Sequence, residues 1–406
     1  MAYSKDVLKN MINEFGNLVA SGSTNMKTLY LYHSLVTNPS NVHQIIQIPE
    51  LLQAIANNGS TIGAYLLARH EKYAQSEDLA KYIAESVDAM NHIALNDTLR
   101  SFVRKKPIFW NAISQNDMAI AKWIAGEAGL DPTAYSDMTA LANDETAMNA
   151  VANSETAMNA IANSETALDA VVNSSTASRV IHQTNPKWLP ISDWDTAQVA
   201  YYPFEGNAND AFGNYNGTWH GNEQYEASPW GQAAKFDEQS NIKLVSRIFD
   251  IHNDSFTVTF FVYPCSSELI FSYAGESSGV GRAGYKFTSE YLKYAASTSS
   301  DSTVNFSESI PLDTWSCIEI RNDAANNLLS IRKNNQVIAS ISLSNIYWYD
   351  SRYPPKGMFV GGYIDPDGSL IGGFTGLIDN IRIFNRALTD EEVQRIYLYE
   401  KNVGGL

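Results

Sequence analysis

Cysteine is nearly absent from this chain: Cys265 and Cys317 are the two among 406 residues. Neither has a Cys or His partner at metal-site spacing, which excludes a zinc site built on them. Both fall in strand-like runs and read as buried small hydrophobes. A bridge between them stays open, since two cysteines carry little topological information. Long apolar runs are also missing. None approaches the roughly 18 residues of a membrane span, and Met1–Leu8 lacks the basic segment and apolar run of a secretory signal. Basic charge is scarce, with 28 Lys and Arg against 44 Asp and Glu and a net charge of −16. Without a basic stripe, nucleic-acid binding is not expected. Catalytic signatures are missing too: no Gly-x-Ser-x-Gly, His-Glu-x-x-His or phosphate loop occurs.

What the chain has instead is a ten-residue block. Asp144–Asn153, Ser154–Asn163 and Ser164–Asn173 read DETAMNAVAN, SETAMNAIAN and SETALDAVVN. Weaker copies begin at Thr28, Asn38, Ile48, Ser60, Ser76, Ser86, Asn96, Lys106, Asn116, Ala134 and Ser174. The eighth position is apolar throughout, from Leu35 and Ile45 through Trp123 to Ile181, and the first is mostly Ser, Thr, Asn or Asp. Helical residues advance by about 100° each, so ten of them stop about 80° short of three turns. One continuous helix would therefore let the apolar stripe wander, whereas seven- or eleven-residue repeats would hold it. The helix is expected to break once per block: Asn153 as a left-handed C′ residue, Ser154 as the next N-cap, Glu155 favoured by the helix dipole. The reading is a short-helix solenoid over 28–183, preceded by an N-terminal helical attachment segment, 1–27.

Composition changes after Asn185. The prolines of Pro186–Pro190 predict a stiff linker over 184–196. Strands follow at 199–204, 255–263, 315–320, 328–332 and 376–384, rich in β-branched and aromatic residues and separated by Asn, Asp and Gly. A closing helix near Asp390–Tyr397 is capped by Thr389 with Glu392 three residues on. Many short strands without intervening helices predict a β-sandwich or jelly roll over 197–400, with a 401–406 tail.

The stretch Ala200–Asp210 (AYYPFEGNAND), followed by GNYNG at 213–217, resembles the opening of laminin-G-like, concanavalin A-like jelly-roll domains. Phe374–Leu388 (FTGLIDNIRIFNRAL) resembles their closing strand; Trp315 and the turn Lys333–Gln336 also fall in place. The ten-residue blocks resemble repeats in bacteriophage tail-fibre and related structural proteins. The first resemblance implies a structural Ca2+ held by Glu205, Asp210 and Asp379, pinning the first strand to the last. Asp210 reads equally as a turn former, and Asp379 as an internal acceptor. It also implies glycan binding. For that, Tyr347, Trp348, Tyr349, Arg352 and Tyr353 in a proline-bounded loop could stack on sugars and bond hydroxyls, with Trp219 and Trp230 on the same surface. The alternative is that these aromatics pack across the sandwich or against a neighbouring subunit.

Glycoside hydrolases of the same fold carry paired carboxylates on one strand. No such pair occurs, so the expectation is a non-enzymatic virion protein (fibre, spike or decoration component) whose β domain engages host-surface glycans. It would assemble in the host cytoplasm with other virion proteins, as a homo-oligomer, first a trimer. A purely structural virion module and a bacterial surface adhesin are the alternatives.

Overall fold

The computed structural model describes residues 3–57, 71–245, 248–276, 282–297, 300–347, 355–364 and 370–406. The chain divides into two compact units, Met1–Pro186 and Lys187–Leu406.

In the first unit, helices Glu145–Ala152, Glu155–Ala162 and Glu165–Val172 begin ten residues apart. Asp144, Ser154 and Ser164 cap them, each accepting from the backbone N–H three residues on. Every eighth-position side chain among the described residues is buried. Such short helices cannot persist alone, and each packs against one in a neighbouring coil: Glu77–Glu85 on Pro107–Gln115, Val87–Ala94 on Asp117–Glu127, Glu145–Ala152 on Ser175–Thr184.

The break between blocks differs from expectation. Asn153 has φ −90° and ψ −1°, not a left-handed conformation. Its Nδ2 donates instead to the carbonyl of Asn149, and Asn163 and Asn173 do the same to residues 159 and 169. The side chain thus adds a second donor at a carbonyl that already accepts from the same residue's backbone N–H (3.1–3.3 Å). Two weaker blocks are out of phase: the caps near Thr28 and Ala134 are Asn25 and Asp137. Helix Lys5–Ala20 packs on Pro49–Asn57, so the residues expected as a separate attachment segment belong to the stack.

The second unit is two antiparallel sheets. One runs β13 (Gln336–Ser342), β12 (Leu328–Lys333), β11 (Ser316–Asp323), β6 (Phe256–Pro264), β17 (Gly376–Phe384), β4 (Gly231–Phe236), β3 (Tyr225–Ser228), with β1 (Gln198–Tyr202) also on β17. The other runs β10 (Asp301–Asn305), β9 (Tyr291–Ala295), β8 (Arg282–Phe287), β7 (Phe271–Glu276), β14 (Pro355–Val360), β5 (Asn241–Val245), β2 (Thr218–His220). A small hairpin pairs β15 (Tyr363–Ile364) with β16 (Leu370–Ile371). Phe256, Val258 and Phe260 of β6 and Tyr273, Tyr285 and Phe287 from the facing sheet fill the core by the period-two alternation of strands. Asn334 and Asn335, at φ 48° and 67°, make the β12–β13 turn, the conformation a two-residue hairpin requires.

The expected linker and tail are both structural. Trp188, Leu189 and Ile191 are buried, and Trp188 packs edge-on against Tyr399 at 5.5 Å. The C-terminal helix runs Asp390–Gly404 with the foreseen Thr389/Glu392 capping box. Cys317 is buried, but Cys265 is exposed and both thiols are free.

Candidate functional site

The aromatic loop leaves the seven-stranded sheet at a defined point. Tyr347 donates its N–H to Ala295 of β9 (2.7 Å) and accepts from the N–H of Gly284 in β8 (2.9 Å). It thereby bridges the ends of these two strands. Trp348, Tyr349, Arg352 and Tyr353 lie outside the described residues.

Two residues along from that bridge, a row crosses the outward face of the sheet. Strand register places Thr218, Lys243, Phe359, Ser272, Lys286, Lys293 and Thr303 side by side on successive strands. Their neighbours Ile242, Met358, Tyr273, Tyr285, Phe287 and Leu292 face the core, so alternation turns the row outward. Tyr363 and Leu269 pack over Phe359, and Ser272 is fully buried. Beyond this roof, Lys286 donates to the Tyr363 hydroxyl (3.0 Å) with its ammonium 4.8 Å from the ring centre, a cation–π arrangement. Lys293 pairs with Asp301 at 3.1 Å. In a chain of net charge −16, this face carries lysines and no carboxylate pair among the described residues of the row. It can supply ammonium donors and an aromatic face to a hydroxyl-rich or anionic ligand. Sequence reading passed over Lys243, Lys286 and Lys293; the signal was their alternation with Tyr285, Phe287, Leu292 and Tyr294.

The two tryptophans expected on one surface are separated by the eight-stranded sheet. Trp219 packs on Phe236 (5.2 Å) against the inter-sheet core and donates to the Tyr225 hydroxyl (2.8 Å). Trp230 lies on the outer face, against Phe261 (4.1 Å), and donates to the Glu400 carbonyl of the C-terminal helix (2.7 Å). Both indole N–H groups are engaged within the fold.

The residues named for calcium do not fit it. A Ca2+ shell needs six to eight free oxygens. Asp210, buried, accepts four backbone N–H bonds at 2.9–3.1 Å, from Tyr201, Phe212, Asn214 and Tyr215. Asp379, also buried, accepts from the Ser228 hydroxyl (2.6 Å) and the Asn380 N–H (2.7 Å). Glu205 accepts from the Gln232 N–H. Among the described residues no group of three or more His, Cys, Asp or Glu is placed to hold a metal. Hydrogen bonds pin the first strand to the last instead: the Tyr201 hydroxyl donates to Asn380 (2.8 Å), and Arg382 bridges Gln198 and Glu400. Burial pushes the Asp379 carboxyl well above the usual carboxylate range, the nearby Glu205 and Glu400 adding to the shift.

Residues 236–394 match the family described as the concanavalin A-like lectin/glucanases superfamily. Among solved structures the chain is similar to domain 4 of AbnA, a GH43 extracellular arabinanase from Geobacillus stearothermophilus, in complex with arabinotriose. Identity is 21%, coverage 50% of this chain and 98% of that one, and the TM-score 0.36. It is similar to the binding domain of Paraclostridial Mosquitocidal Protein 1 at 16% identity, covering 50% and 52%, TM-score 0.37. A third is the binding domain of Botulinum Neurotoxin DC in complex with SialylT, at 13% identity, 51% of each chain and TM-score 0.37. The chain thus spans about half the length of the two toxin domains. No curated protein matches it. The family match and the two-sheet architecture agree: the second unit of this chain is a jelly-roll sandwich of concanavalin A-like fold, within which residues 236–394 are laminin-G-like in sequence.

Proposed function

We propose that this chain is a non-enzymatic bacteriophage virion protein, a fibre, spike or decoration component, whose jelly-roll domain binds host-surface glycan. The glycan reading is carried by the stretch of the row with Lys286, beside Tyr363, and Lys293, next to the point where Tyr347 opens the aromatic loop. The lectin-type family match of 236–394 supports it. The virion reading is supported by the resemblance of the ten-residue blocks to tail-fibre repeats. Absence of catalysis is supported by the engagement of the strand-borne acids: Glu319 is buried between Arg321 and Arg332, and Asp379 is buried on Ser228.

The test is retention of the full-length protein on an array of bacterial surface polysaccharides, with and without chelator. Saturable binding is expected. Lys286→Ala, Lys293→Ala or Tyr347→Ala, each still folded, should weaken it about tenfold or more, the scale of losing one charge-assisted hydrogen bond or stacking residue. Chelator should leave binding unchanged. Retention indifferent to all three substitutions would move the reading to a structural module that clamps virion subunits. Trp219 and Trp230, with both indole N–H groups bonded within the fold, carry neither reading.

A further inference from the structure

The helical unit contains a second candidate site. In three blocks the third, sixth, seventh and tenth residues line one wall of a cleft. They are Ile108, Asn111, Ala112 and Gln115; Thr156, Asn159, Ala160 and Asn163; and Thr166, Asp169, Ala170 and Asn173. The repeat geometry therefore builds the groove several times, and the opposite wall decides its chemistry. Facing Thr166–Asn173 are small and polar residues such as Asp117, Thr139 and Asn143. Facing Ile108–Gln115 is a mostly acidic helix with Glu77, Asp78 and Glu85. Only the cleft at Thr156–Asn163, of about 390 Å³, is faced by Trp110, Trp123 and Arg104, within the size range of ligand sites.

Three features make this groove a site rather than a gap between helices. Trp123 is fully buried, yet its indole N–H has no hydrogen-bond partner, a cost that native folds seldom carry without a reason. Trp110 meets it edge-on at 5.4 Å. Arg104 stands 5.9 Å from the Trp123 ring, held by Glu127, which also takes Arg100. Arg100 is paired with Asp97 as well, and no acid lines the cleft itself, whose one charged residue is Arg104. With Arg104 half-exposed as the one charge on the wall, the complementary occupant offers it a carboxylate beside an apolar group. Arg104 and Thr156 also line an adjoining cleft that runs past Arg100 and Glu127 toward Asp97 and Gly129, where the wall is acidic as well as basic and a neutral stretch of chain fits. The groove is therefore longer than one small molecule needs.

We propose that this groove binds an extended peptide segment bearing an acidic side chain, the carboxylate on Arg104 and the neighbouring apolar side chain on Trp110. A peptide backbone offers both donors and acceptors to the amides of Asn159 and Asn163, and a carbonyl to Trp123. The test uses the full-length protein on an array of capped Gly-Ser decapeptides, each carrying one Glu beside a Leu or Phe, with a matched array carrying Gln. Glu peptides should be retained about tenfold above their Gln partners, and Arg104→Gln should erase that difference. Trp123→Phe should weaken retention several-fold. Asn163→Ala should do so as well, whereas Asn173→Ala should not, although both remove the same bond to their own helix (2.8 Å each). Equal retention of Glu and Gln peptides, no retention at all, or equal losses from the two Asn variants would overturn the proposal. So would displacement of bound peptide by free glucuronate but not by a capped glutamate.

Discussion

At the residue scale, four of the serines at the first position of the blocks each close two helix ends. Ser164 accepts from the Ala167 N–H and donates to the carbonyl of Ser114, at the end of another helix (2.6 Å). Ser86, Ser154 and Ser174 do the same toward Ala56, Glu127 and Ala142. A hydroxyl can play both parts because it is donor and acceptor at once; the caps Asn96 and Asn116 accept only from their own helices. Ser164→Ala should therefore cost about 2 kcal/mol, roughly 1 for the cap and 1 for the stranded carbonyl. Asn96→Ala should cost about half as much. Urea unfolding of the two variants compares them directly. Asp379 yields a second expectation. Its folded pKa is raised, so the stability it confers is complete below an ordinary aspartate's pKa and is lost as pH rises through the folded value. Asp379→Asn removes that dependence. Thermal unfolding from pH 3 to 8 should show the wild type losing stability relative to the variant as pH rises, with the Ser228 contact kept by the amide oxygen.

At the scale of elements, the C-terminal helix is fixed to the eight-stranded sheet through buried charge. Arg382 of β17 is fully buried, bonds Glu400 at 2.8 Å, and lies 3.7 Å from the Tyr201 ring centre. Arg382→Ala would leave the Glu400 carboxylate buried without its cation, and should cost about 3–5 kcal/mol in thermal or chemical unfolding. Elements defined by local chemistry were legible in the sequence: the Thr389 cap, the Asn-Asn turn at 334–335, and the caps at Asp144, Ser154 and Ser164 each act within a few residues. What escaped was set by register and long-range packing. Asp210 looks the same in a sequence whether it meets a cation or four N–H groups, and Trp219 the same whether it faces sugar or Phe236. The lysine row exists only once seven strands are aligned, although each strand's alternation already marked its own lysine. The tenth-position Asn was read as left-handed because that is how Asn commonly ends helices, but here its backbone and side-chain N–H groups both donate back to one carbonyl of its own helix.

For the whole molecule, the division at Pro186 and Lys187 bears on where the jelly-roll unit begins. Its recognisable sequence starts near Gln198, and the preceding prolines suggest a spacer. Yet Trp188 packs on Tyr399, Gln198 accepts the buried Arg382, and Asp193 takes one side of the Arg386 guanidinium while Glu392 takes the other. Residues 187–196 thus add their own contacts to the C-terminal helix and to the end of β17. Burying Trp188, Leu189 and Ile191 contributes on the order of 2 kcal/mol each by apolar transfer, comparable in sum with a small domain's net stability. A fragment of residues 187–406 should therefore fold cooperatively without the helical unit. One starting at residue 197 should be far less stable, its helix 390–404 exposed to proteolysis. Equal unfolding midpoints for the two fragments would show that the sheet-facing contacts of Arg382 and Trp230 hold the helix unaided; a wide gap would fix the start of the domain at Lys187, eleven residues before its first strand.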